Sequence, residues 1–60
     1  MGVKGYGEAG QRALRVARSA ERRHRDTEPS LLHDKVFAAV RKAGFAYDLA
    51  VAAAWEALAE

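Results

Sequence analysis

Four arginines, Arg15, Arg18, Arg22 and Arg25, recur at i, i+3, i+7 and i+10 in a proline-free run. At about 100° per residue this spacing lines them along one side of a helix. A guanidinium is a planar fork that donates two parallel hydrogen bonds, the pattern a phosphate or carboxylate accepts. A solvent-facing row of them can follow a nucleic-acid backbone with weak sequence preference. Acids at helical spacing oppose this: Glu21 stands near Arg18 and Arg25, Asp26 near Arg22, and Glu8 near Arg12. Such pairs turn part of the row into an ordinary solvated face.

Other chemistry-bearing residues are sparser. Gly5, Gly7 and Gly10 spell G-x-G-x-x-G, but only four residues precede Gly5 and no strand pattern occurs. A dinucleotide site needs a strand before those glycines and a βαβ unit around them, so no cofactor is expected. His24 and His33 flank a turn without cysteines or clustered acids. That is a poor ligand set, and packing histidines are expected in place of a metal site. There is no cysteine and no Ser-His-Asp arrangement at suggestive spacing, and a short chain has little room for a water-excluding pocket. The expectation is a non-enzymatic protein.

Three helices must position these groups. The first is expected near residues 8–26, where Ala, Arg, Leu, Glu and Gln dominate. Ala9, Ala13, Val16, Ala17, Ala20 and His24 share its inner face, opposite the arginine row, with Leu14 at the border. Asp26-Thr-Glu-Pro-Ser30 is a turn signal, with Pro29 suited to a first helical position and Ser30 able to cap. A second helix over 29–43 presents Leu32, Val36, Ala39, Val40 and Ala43 on one face. Gly44 fits the left-handed position that ends it, with Phe45 folding back on the last turn. A third helix over 46–59 carries the stripe Tyr47, Val51, Ala54, Trp55 and Leu58. The expected core is Val16, Leu32, Val36, Val40, Phe45, Val51, Trp55 and Leu58. Residues 1–7 are expected to be a flexible or loosely packed lead-in, with Tyr6 or Val3 packing on the body.

The fold class expected is therefore all-α, a small three-helix bundle in one domain spanning residues 1–60. Leu31, Phe37 and Leu49 fall outside the main apolar faces. Exposed together they would mark a surface for a protein partner or for a second copy, and a homodimer is expected. A bundle of 60 residues buries only about 60% of its unfolded surface, which favours tight packing or self-association.

Val36-x-x-x-Val40-x-x-x-Gly44-Phe45 is similar to the helix–Gly-Phe–helix core of ubiquitin-associated-like three-helix domains. That family places the Gly-Phe turn between its first and second helices. Here it would join the second and third, so no binding site is carried over. A helix-turn-helix is disfavoured because the last helix offers no Arg, Lys, Asn or Gln to read base edges.

Charge is asymmetric. Residues 1–27 hold seven Lys or Arg against three acids, a balance of +4, and residues 28–60 hold three against five, a balance of −2. The longest apolar run, Leu49 to Trp55, is far short of the roughly 18 to 20 residues that span a bilayer. The alanine-rich inner face of the basic helix also suits a membrane surface poorly. A cytoplasmic location is the expectation.

Overall fold

A computed structural model describes residues 2–59 and shows three helices packed pairwise against one another. Helix α1 spans Gly7–Arg23, α2 Pro29–Lys42 and α3 Tyr47–Ala59, with a short 3-10 turn at Lys4–Tyr6 before them. No strand occurs among the described residues. Short connections make successive helices antiparallel neighbours. One end of the bundle therefore gathers the C-terminus of α1, the N-terminus of α2 and the C-terminus of α3.

The chain's punctuation explains the boundaries. Helix α1 ends two to three residues earlier than its composition suggests. His24 donates its N–H to the Ala20 carbonyl at 3.0 Å, and Thr27 then closes a turn onto the His24 carbonyl at 2.9 Å. Glu28 is extended (φ −51°, ψ 140°), as the residue before a proline must be, and Pro29 opens α2. The expected Ser30 cap does not form. Glu28 holds the cap position with no side-chain bond, and its carbonyl accepts from Leu31 and Leu32 at 2.9 and 2.8 Å.

At the other end of α2, Gly44 adopts φ +102°. Its N–H reaches the Arg41 carbonyl at 2.9 Å, and Phe45 N–H reaches Val40 at 3.5 Å. This is the paired C-terminal closure that a left-handed glycine permits. Arg41 adds a bond from its guanidinium to the Phe45 carbonyl at 2.9 Å.

The core is built largely from alanine. Ala13, Ala17 and Ala20 of α1, Ala50, Ala53, Ala54 and Ala57 of α3, and Val36 and Val40 of α2 form one buried cluster. Methyl groups at a helix contact favour the shorter end of the usual 8–10 Å axis separation. Leu14, read from the pattern as a border residue, and Leu49 are also interior.

The expected core is therefore corrected in part. Val36 and Val40 are fully buried, and Val16, Leu32, Phe45 and Leu58 are half-buried against the core. Val51 is half-buried, whereas Trp55 is 53% exposed. The cause lies in α3, which is apolar almost all round and so has no single sequence-defined face. Its alanine side turns inward because it fits the alanine side of α1. Of the bulky stripe, Tyr47 and Trp55 are turned outward beside Phe37 and His33 of α2, whereas Val51 and Leu58 stay half-buried.

The N-terminal strip packs on the body through Val3, which is 1% exposed. Val3 donates its N–H to Glu56 Oε1 on α3 at 2.9 Å, and Tyr6 donates its N–H to the Val3 carbonyl at 2.9 Å. Gly10 makes this seat possible. A Cβ there would stand 3.0 Å from the Cβ atoms of Val3 and Tyr6 and inside contact distance of the Val3 carbonyl oxygen. The spacing Gly5, Gly7, Gly10 is thereby explained without a phosphate. Gly7 (φ +61°) redirects the chain into α1, and Gly10 lets the strip lie on it.

Candidate functional site

The fold brings three of the four row arginines to one place. Arg18, Arg22 and Arg25 line an open cleft of about 590 Å³ at the end of the bundle. Arg18 and Arg22 come from successive turns of α1, and Arg25 from the turn just beyond its C-terminal end. Leu32 from α2 and Ala57 and Leu58 from α3 supply an apolar floor, and Glu21 is the one acid among the lining residues. Arg15 is exposed one turn earlier on α1, outside the lining.

Electrostatics distinguish the three. Arg25 is bonded to Glu21, Nη2 to Oε1 at 3.0 Å and Nε to Oε2 at 3.4 Å. That hydrogen bonding, with the carboxylate's charge, pushes its guanidinium pKa above the ordinary value. Arg22 sits in the last turn of α1, where the helix dipole favours a cation. The guanidinium is a permanent charge and cannot relay protons near neutral pH. Among the described lining residues the one carboxylate, Glu21, is engaged by Arg25.

A second surface was not legible from the helix pattern. Tyr47, Phe37, His33 and Trp55 form a file of rings between α2 and α3. Phe37 meets Tyr47 edge-on with centroids 5.3 Å apart. His33 stacks on Phe37 at 6.4 Å and meets Trp55 at 5.3 Å. Tyr47 is 65% exposed and Trp55 53%. His33 Nδ1 lies 3.7 Å from Asp34 Oδ1, while its buried Nε2 has no hydrogen-bond partner among the described residues. The ring is held by packing.

The expected partner surface of Leu31, Phe37 and Leu49 is not assembled. Leu31 is 48% exposed and Phe37 half-buried, but Leu49 is 5% exposed and belongs to the core. The missed signal was the run Ala50, Ala53, Ala57. It shares a side of α3 with Leu49 and, by its small size, marks the side that approaches another helix most closely.

At the opposite end, Gly2, Tyr6, Tyr47, Asp48, Val51 and Ala52 surround a shallow hollow of about 340 Å³. Tyr6 donates its hydroxyl to Asp48 Oδ2 at 3.3 Å. Partial desolvation, then the charge and hydrogen bond of Asp48, raise the Tyr6 pKa above its ordinary 10.0. No helix among the described residues is long and apolar enough to cross a membrane.

No family model, curated protein or solved structure matches this chain.

Proposed function

We propose that this chain is a small non-enzymatic binding protein that contacts nucleic-acid phosphates through Arg18, Arg22 and Arg25, with Arg15 extending the row. The observation that carries the proposal is the convergence of three guanidinium groups on one cleft, with Glu21 the acid among its described lining residues. Weak sequence preference is expected, because phosphate contacts position a protein without reading bases.

Salt dependence tests it. Each phosphate neutralised on a duplex contributes about −0.9 to the slope of log K against log salt. Three to four arginine contacts predict a slope of about −3 to −4. Arg22→Glu should weaken binding at low salt by at least about tenfold and flatten the slope by about one or more. Negligible affinity at low salt, or an Arg22→Glu variant that binds as before, would refute the proposal.

The exposed rings and Leu31 favour a second reading, self-association through the α2–α3 face. Sedimentation at several concentrations distinguishes it. Leu31→Asp is the informative variant because Leu49→Asp would place a charge in the core. A mass that stays monomeric across the range would remove this reading.

A further inference from the structure

We infer that the nucleic acid taken by the arginine cleft is single-stranded, with a base stacking on the exposed face of Trp55. The inference rests on the phosphate-binding reading above and adds to it the form of the polymer.

Position is the first support. Leu58 floors the cleft, and Trp55 lies one turn before it on α3. Residues three apart on a helix are surface neighbours. His33, which follows Leu32 of the same floor, touches the Trp55 ring at 5.3 Å. Trp55 and His33 lie outside the cleft's lining and adjoin its floor, each next to a floor leucine in its own helix.

The second support is the way Trp55 is held. Its contact with His33 is tilted by 52°, and His33 is itself stacked on Phe37 within 7° of parallel. The indole is braced by these rings, yet half its surface faces solvent. A large ring fixed in place and open on one side is a stacking platform. Tyr47, eight residues earlier on α3 and 65% exposed, stands about 12 Å along the helix axis. A strand leaving the arginines across Leu58 would meet Trp55 first and Tyr47 second.

Chemistry then selects the polymer. A charged groove beside exposed aromatic rings is the combination that suits single strands, whose unpaired bases offer a free π-face. Duplex bases are stacked on one another and present no face to an indole on a convex helix. The charge complementarity is with a polyanion, and the rings discriminate its form.

The test uses the full chain and defined probes: a thymidine homopolymer of about 12 nucleotides, to cover several bases per site, and a duplex of equal length. Trp55 is the sole tryptophan, so its fluorescence reports directly on the proposed contact. Saturable quenching by the single strand, with weaker binding of the duplex, is expected. Trp55→Ala should lower single-strand affinity, read by anisotropy of a labelled strand, by about 5- to 150-fold. It should leave duplex binding unchanged, and Trp55→Phe should restore most of the loss. The exposure of Trp55 keeps these variants folded, which circular dichroism verifies.

Equal binding of both forms without quenching, and with Trp55→Ala neutral, would overturn this inference while leaving phosphate binding intact. Failure of both polymers to bind at low salt would overturn the two together. A doubled mass in sedimentation that Trp55→Ala returns to monomer, with no quenching by either polymer, would assign the face to a second copy and overturn the inference.

Discussion

Replacing Gly10 by alanine sets two physical effects against each other. Gly10 lies inside α1, where alanine is the better helix former by about 1 kcal/mol. Propensity alone therefore predicts that Gly10→Ala stabilises the protein. The packing predicts the reverse. The new methyl would collide with the Val3 carbonyl and crowd Val3 and Tyr6 at 3.0 Å. These are backbone and Cβ atoms, which cannot swing aside as the tip of a long side chain can. The strip must lift.

Lifting it exposes Val3, whose burial contributes about 1.5 to 2 kcal/mol. It also breaks the Val3–Glu56 hydrogen bond, worth a net 0.5 to 1.5 kcal/mol or so. After subtracting the propensity gain, Gly10→Ala should destabilise the fold by about 1 to 2.5 kcal/mol. In so small a domain each 1 kcal/mol lowers Tm by about 4–8 °C. Urea and thermal unfolding followed by circular dichroism measure it. Gly5→Ala is the control, because a Cβ at Gly5 meets nothing within 4 Å. A Gly10→Ala protein as stable as the parent, or more so, would refute the claim that the strip is seated on α1.

Two further expectations concern other joints. Gly44→Ala forces a side chain into φ +102° and should cost about 1–2 kcal/mol in urea unfolding with an unchanged m-value; full stability would show that the turn does not need its glycine. The Tyr6–Asp48 bond predicts a pH dependence. A pKa raised in the fold means that the folded state favours the protonated phenol, so the stabilisation is complete below 10.0 and fades as pH rises through the higher folded value. NMR titration of the Tyr6 ring should give a midpoint above 10.0, and Tyr6→Phe should abolish this part of the alkaline loss of stability; a midpoint at or below 10.0 would contradict the bond.

The number of helices, their order and most of their ends were legible because Pro29, Gly44 and the alanine- and arginine-rich first helix are local signals. Their chemistry acts within a few residues. The arginine row was legible for the same reason as far as α1 runs, since Arg15, Arg18 and Arg22 share a side of that helix; Arg25 follows in the turn beyond it. Rotation of α3 was not. A helix with apolar residues on nearly every side contains no internal instruction about which side turns inward, and bulk pointed to Trp55 where fit selected Ala50, Ala53 and Ala57. The seating of Val3 was equally hidden, because it depends on the absence of one Cβ at Gly10 and on Glu56, more than fifty residues away in the chain. The leucine floor under the arginines, which distinguishes a cleft from a row, comes from α2 and α3 and exists only once the bundle closes.

The alanine interior has a consequence for how such a chain can vary. Alanine loses no rotamer freedom on burial, so this core forms at little side-chain entropy cost. The same tightness makes it intolerant of growth, because an added methylene at Ala17 or Ala53 would wedge two helices apart. Bulk and charge are held instead in residues such as Trp55, Tyr47, Leu31 and Arg22, whose exchange disturbs few interior contacts. Substitution can therefore redraw the outer surface of this bundle while leaving the alanine frame beneath it nearly fixed.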